Sequence, residues 1–215
     1  MGTSTLTPAS RTVEAPQLTS WDGGSEISLH LALRRPASDC VEADLMDYGA
    51  RRRPRTADRL SLMVTTQSTY RQPIAKAFAA AICDRLGCSK DLHQRIHTTL
   101  HEAIMNALMH GNLGLEPEFR GDLQRLAKSH DVIEELLDRP DVARRPVCVD
   151  AIWNAERLHI TVRDTGKGFV RDKSAAPEAL HGEHSHGRGL LLIEAFCDRV
   201  VLLNDGNTIK LAFRR

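Results

Sequence analysis

The apolar residues of this chain switch between two spacings, and this switching limits the folds that the chain can adopt. Residues 60–65 (LSLMVT) alternate in a way that is typical of a half-buried strand. Apolar residues then recur at every fourth position from Tyr70 to Leu86, which predicts a helix that ends at Gly87. A strand followed by an amphipathic helix indicates a fold in which helices pack on a sheet.

Two pairs of alternating segments later in the chain predict β-hairpins. Their turns are NAE at 154–156 and DGN at 205–207. Further helices are predicted at 89–110, where Ser89 is a natural N-cap, at 122–140, and at 188–197, which reads as a buried helix. This order favours an α+β fold. We expect a two-layer sandwich, with a mostly antiparallel mixed sheet covered on one face by helices.

The N-terminal part has a different composition. Residues 1–25 are rich in Ser, Thr, Pro and Gly and are predicted to be a disordered tail. Residues 26–34 alternate apolar and polar positions and are predicted to form a strand, followed by an irregular connector at 36–55. We therefore divide the chain into an N-terminal extension, 1–59, and a folded domain, 60–215.

Charge and apolar content exclude several classes of protein. The 29 Lys and Arg residues nearly balance 28 Asp and Glu residues, which argues against a nucleic-acid binder. No stretch approaches the roughly 20 apolar residues that span a membrane. The start of the chain lacks the pattern of a signal peptide, and the five cysteines form no CxxC pair. We expect a cytoplasmic protein with reduced thiols.

Three polar residues lie on one stripe of the helix predicted at 89–110. Glu102, Asn106 and His110 are each four residues apart, so they project from one side of the helix. A solvated helix face would explain such a stripe. A site would also explain it, because an amide oxygen can bind Mg²⁺ and a carboxylate one turn away can orient or deprotonate a hydroxyl.

Two glycine-containing motifs follow. In RDTGKGF (163–169), Asp164 ends a predicted strand, and its carboxylate can accept a hydrogen bond from an amino group such as that of adenine. In HGRGLLLIEAF (186–196), glycines precede a helix whose N-terminal N–H groups suit phosphate, and Arg188 adds a charged donor. Either motif alone is also compatible with an ordinary turn.

Together and in this order, the three motifs resemble those of the GHKL (histidine-kinase-like) ATPase superfamily. The patterns ExxxN, DxGxGF and GxGL match its three boxes, and the likeness covers about residues 60–213. Segments such as NALMHGNLGL and GRGLLLIEAFCDRV are most similar to anti-sigma-factor serine kinases of bacterial stress signalling. The resemblance implies a Bergerat-type ATP-binding fold, with ATP and Mg²⁺ as ligands.

The resemblance also implies a role for individual residues. Glu102 matches the general base, Asn106 the Mg²⁺ ligand and Asp164 the adenine-binding carboxylate. The other positions that match nucleotide-binding positions are His110, Gly166, Gly168, Gly187, Arg188, Gly189 and Leu190. A purely structural capping role is an equal alternative for His110 and for Asn112. Thr208 is a candidate contact on the adenine side, although the chain departs from the family here: many relatives have Gly-Thr where it has Gly206-Asn207.

Histidines outside these motifs allow a metal-binding alternative. His-rich segment 181–186 could bind a metal, but a polar lid is favoured because no Cys or Asp completes a ligand set nearby. The stripe His93, His97 and His101 reads mainly as an exposed polar edge. We expect residues 171–187 to be mobile without nucleotide and to be ordered by its phosphates.

The leading function that the resemblance implies is that of a protein serine/threonine kinase. Its partner would be a small antagonist-type signalling protein, and it would also be able to hold a sigma-like factor. A homodimer of this chain is one assembly that the resemblance allows. The alternative is a non-catalytic module in which nucleotide controls partner binding. A stand-alone ATP hydrolase is a third and weaker hypothesis.

Overall fold

The computed structural model describes residues 17–48, 58–115, 123–168 and 188–215, with only the backbone described for 123–129 and for residue 188. One seven-stranded sheet forms the centre of these ranges, in the order β1-β2-β3-β4-β5-β7-β6. Its strands are β1 (Gln17–Trp21), β2 (Ala37–Glu42), β3 (Arg59–Thr65), β4 (Pro146–Trp153), β5 (Arg157–Arg163), β6 (Arg199–Leu203) and β7 (Thr208–Arg214).

The sheet is mixed and mostly antiparallel, as predicted. The β1–β2 and β2–β3 pairs are parallel, whereas the other four pairs are antiparallel. The two predicted hairpins are confirmed as β4–β5 and β6–β7. Because β5 lies between β4 and β7, the end of β5 at Arg163 is central in the sheet and beside Thr208.

Helices pack on one face of the sheet. The described helices are α1 (Glu26–Ala32), α2 (Thr66–Arg71), α3 (Ile74–Leu86), α4 (Lys90–Asn106), α5 (Leu123–Leu137), α6 (Pro140–Ala143) and α7 (Arg188–Phe196). The main core combines alternate residues of the strands with the apolar faces of α3, α4 and α7. A smaller core joins α5 and α6 to the segment after α4. This arrangement confirms the predicted two-layer α/β sandwich.

The predicted strand at 26–34 is wrong, because Glu26–Ala32 form α1. Ser25 caps the helix: its side chain accepts from the backbone of Ser28, and the Ser28 hydroxyl accepts from the backbone of Ser25. Ile27 and Leu31 are exposed, while Leu29 and Leu33 are buried. Four apolar residues at alternate positions fit two faces of a short helix as well as one face of a strand.

The N-terminal extension is more ordered than its composition indicates. Residues 17–21 belong to the predicted disordered tail but form β1, and residues 37–42 of the predicted connector form β2. Residues 1–16 and 49–57 lie outside the described residues. The sheet therefore includes two strands from before residue 59, and both are parallel additions to its edge.

Local signals placed the helix ends correctly at two positions and incorrectly at one. Gly87 ends α3 with a φ of 64°, and the Ser89 side chain caps α4. The single helix predicted to run from Tyr70 to Leu86 is two helices, α2 and α3. Gln72 is extended because it precedes Pro73.

Helix α7 is buried on one side only. Ile193 is fully buried, whereas Leu191 and Leu192 are exposed, so the prediction of a buried helix holds for one face. Within the described ranges, no helix combines the length and the apolar content that a membrane crossing requires.

A buried carboxylate joins the N-terminal extension to the rest of the sheet. Glu42, at the end of β2, accepts hydrogen bonds from the Thr65 N–H at 2.7 Å, the Thr65 hydroxyl at 3.0 Å and the Ser68 hydroxyl at 2.7 Å. The Thr65 hydroxyl in turn caps α2 by accepting from the Ser68 N–H. Glu42 therefore stabilises the junction between β2, β3 and α2.

We predict that Glu42→Ala lowers the free energy of unfolding by about 2–4 kcal/mol, because three buried donors lose a charged acceptor. Urea denaturation followed by circular dichroism measures this change. The control is Glu26→Ala, which removes an exposed ion pair with Lys76 and should cost less than about 1 kcal/mol. Equal losses in the two variants would contradict the role assigned to Glu42.

Candidate functional site

The end of α4 carries the first motif. Glu102 and Asn106 are half-buried on its last two turns. After Asn106 the backbone widens into a π-helical turn, Ala107–Asn112, in which the Leu113 N–H bonds to the Leu108 carbonyl at 2.9 Å. Such turns are rare in proteins as a whole, but those that occur are often found at functional sites, because they change the direction in which side chains project.

The third motif lies directly against the first. Gly189, in the first turn of α7, is buried, and a Cβ atom at this position would lie 2.7 Å from the Glu102 Oε2 and 3.7 Å from the Asn106 Oδ1. Only glycine allows this approach without displacing Glu102. The sequence predicted that these motifs share a site, and the structure brings them together. Leu190, the next residue, packs against the main core.

The second motif begins where β5 ends. Asp164 is buried, and its Oδ1 accepts a hydrogen bond from the Gly166 N–H at 2.8 Å. Its own N–H donates to the Asn207 carbonyl at 3.1 Å, which ties it to the turn before β7. Burial is the largest effect on the Asp164 carboxyl and raises its pKa to about 6. A buried carboxylate with spare acceptor capacity suits an amino group as its partner.

Gly111 is a site residue that sequence reasoning missed. A Cβ atom on Gly111 would overlap the Asp164 carboxyl group, and a Cβ on Gly166 would overlap the backbone of Gly111. The π-helical turn and the second motif are therefore in direct contact. The signal was present in the HGN sequence that follows the first motif, but a glycine reveals a close contact only when its neighbour is known.

Gly168 is required for a different reason. Its φ is 83°, a region that side chains disfavour, and a Cβ would overlap the Asp205 carbonyl. Gly168 therefore lets the second motif pass close to the turn between β6 and β7. That turn leads into Thr208, the first residue of β7, which is buried and pairs with Arg163, the residue before Asp164.

Two predicted site residues have structural partners. The Thr208 hydroxyl accepts from the Asn204 amide and donates to the Asn207 side chain, both at 3.2 Å. The His110 Nδ1 is 2.8 Å from the Leu115 carbonyl. The bond of His110 fits the capping alternative, and the hydroxyl of Thr208 bonds within its own turn.

Part of the predicted site lies outside the described residues. This applies to Gly187, to the His-rich segment 181–186 and to the predicted lid 171–187; of Arg188 only the helical backbone is described. The His97 and His101 rings lie 6.4 Å apart on α4. Across the described ranges, no three His, Cys, Asp or Glu side chains are grouped so that they could hold a metal ion.

The described donors and acceptors fit a purine nucleotide with a divalent cation. Asp164 offers a buried acceptor at one end, and the first turn of α7 lies beside Glu102 and Asn106 at the other. Asn106 would hold the cation through its amide oxygen, with phosphate oxygens as further ligands. Gly189 lies in the first turn of α7, and backbone N–H groups at a helix N-terminus favour phosphate.

We predict that ATP affinity falls as the pH drops below about 6, because the raised pKa of Asp164 makes its carboxyl protonated there, and a neutral carboxyl is a weaker acceptor for an amino group than a carboxylate. Titration calorimetry across this range measures the change. Asp164→Asn should bind ATP weakly at every pH and retain only the pH dependence of the phosphates. Without nucleotide, the Asp164→Asn protein should also be more stable than the wild type above pH 6, because the wild-type carboxylate is ionised and desolvated there.

Equal ATP affinity of wild type and Asp164→Asn at neutral pH would contradict this assignment of Asp164.

Comparison with known proteins identifies the family of this chain. The model of the histidine kinase-like ATPase domain matches residues 64–213, more than two thirds of the chain. The match begins within β3 and ends within β7, so it includes all three motifs but not β1, α1 or β2. Comparison with curated proteins finds no match. The chain belongs to the histidine kinase-like ATPase domain family.

Proposed function

We propose that this protein is a cytoplasmic serine/threonine kinase of the anti-sigma type, which uses ATP and Mg²⁺ to phosphorylate a small antagonist-type signalling protein and also binds a sigma-like factor. Membership of the family supports ATP binding and a regulatory role. The observation that favours transfer is the Glu102 carboxylate beside the first turn of α7. A carboxylate next to a polyanion is electrostatically unfavourable, and we therefore assign Glu102 a chemical role.

The two ends of the site would bind the two ends of ATP. Asp164 would accept a hydrogen bond from the adenine amino group, since its carboxyl is buried and packs against Gly111. The N-terminus of α7 would bind phosphate through its backbone N–H groups. Asn106 would hold Mg²⁺, which neutralises negative charge on the phosphates when bound.

Glu102 would then act on the partner. Its carboxylate would orient the hydroxyl of a serine or threonine and accept the proton as the oxygen forms a bond to the γ-phosphorus. The bond between the γ-phosphorus and the β–γ bridging oxygen breaks, so that ADP is the leaving group. This role requires Glu102 at the phosphate end of the site. Its position beside Gly189, and not beside Gly111, supports that assignment.

We predict that Glu102→Ala keeps ATP affinity close to that of the wild type and lowers phosphotransfer by about 10²–10⁴-fold, the range for a lost general base. Asn106→Ala should reduce both phosphotransfer and the Mg²⁺-dependent part of ATP affinity. The measurements are transfer from labelled ATP to an antagonist-type protein encoded beside the gene, and titration calorimetry with and without Mg²⁺. Glu156→Ala, which removes an exposed carboxylate at the β4–β5 turn, is the control.

The same experiment tests the alternative of a nucleotide-dependent binding module. Wild-type protein that binds ATP but transfers no phosphate, together with normal partner binding by Glu102→Ala, would favour the binding module. A fall in ATP affinity for Glu102→Ala as large as that for Asp164→Asn would contradict the placement of Glu102 at the phosphate end.

A further inference from the structure

The side chain of Asn112 uses its full hydrogen-bonding capacity while completely buried. Its Nδ2 donates to the Thr66 hydroxyl at 2.9 Å and to the Pro146 carbonyl at 3.2 Å. Its Oδ1 accepts from the N–H of Thr165 at 2.9 Å and from the hydroxyl of Thr165 at 3.0 Å. A buried amide with two donors and two acceptor sites in use is costly to replace.

These bonds connect four separate parts of the chain. Asn112 ends the π-helical turn after α4, Thr66 begins α2, Pro146 begins β4, and Thr165 belongs to the second motif. Arg145 adds further hydrogen bonds between these parts of the chain. Its Nη1 donates to the Asn112 carbonyl at 2.7 Å, and its own carbonyl accepts from both the N–H and the hydroxyl of Thr66.

Asn112 lies next in sequence to a residue that contacts the Asp164 carboxyl. Gly111, immediately before Asn112, packs against that carboxyl group so closely that no side chain would fit. Thr165, bonded to Asn112 through two atoms, lies between Asp164 and the Gly166 N–H that bonds to the Asp164 Oδ1. Asn112 therefore fixes the position of Gly111, which packs beside the Asp164 carboxyl, and of the turn at Thr165 that orients this carboxyl.

We propose that Asn112 is the positioning residue for Asp164 and that it thereby determines selectivity for the 6-amino group of adenine. This inference rests on the proposed function, in which Asp164 binds adenine. Aspartate at residue 112 could not replace the amide, since an ionised carboxylate has no donor for the Pro146 carbonyl.

The test compares binding of ATP and of purine riboside triphosphate, which lacks the 6-amino group. Wild-type protein should prefer ATP by roughly tenfold to a hundredfold, the contribution of a hydrogen bond to a charged acceptor. Asn112→Ala should reduce this preference towards one and leave the affinity for purine riboside triphosphate within about twofold. A merely structural role would lower both affinities together and keep their ratio.

Three further variants keep the test decisive. Thr165→Val removes one of the bonds to Asn112 and should reduce the preference partly, so it serves if Asn112→Ala does not fold. Ser68→Ala removes a buried hydrogen bond to Glu42 and should leave the preference unchanged. In Asp164→Asn protein, adding Asn112→Ala should change ATP affinity little, because the two changes act through one contact.

The outcomes separate this inference from the proposed function. A preference for ATP that survives both Asn112→Ala and Thr165→Val would overturn the positioning role while leaving Asp164 as the adenine contact. A wild-type protein without any preference for ATP would overturn the adenine assignment of Asp164 itself, and the positioning role with it.

Discussion

The buried amide of Asn112 is the interaction on which the arrangement of the site depends. It links the end of the first-motif helix to the start of the second motif, and these lie 53 residues apart in sequence. Because the Asn112 side chain is fully buried, removing one of its partners leaves a buried polar group unsatisfied. The contact between Gly111 and the Asp164 carboxyl requires this constraint, since the backbone approaches more closely than any side chain would allow.

Two buried carboxylates illustrate different uses of the same group. Glu42 accepts from three donors and stabilises the junction of β2 with β3 and α2. Burial outweighs the local hydrogen bonds at Asp164, so its pKa is raised to about 6. An ionised Asp164 therefore destabilises the native state near neutral pH. Local features that oppose stability are often retained where they prepare a binding site.

The phosphate end depends on packing between helices. Helix α7 contacts α4 extensively, and Arg95 of α4 donates to the Phe196 carbonyl at the other end of α7. The first turn of α7 is thereby held against Glu102 and Asn106. The family match does not include β1, α1 or β2, although β1 and β2 belong to the same sheet as the matched strands.

The sequence by itself determined the features that depend on near neighbours: both hairpins, the caps at Ser89 and Gly87, and the three motifs. These signals lie within a few residues, so a pattern reveals them. The strand predicted at 26–34 was wrong because its alternation fits a short helix equally well, and only packing decides between them. Tertiary structure alone decided that Gly111 meets Asp164 and that Gly189 meets Glu102, because contacts between distant segments depend on how the sheet and helices pack.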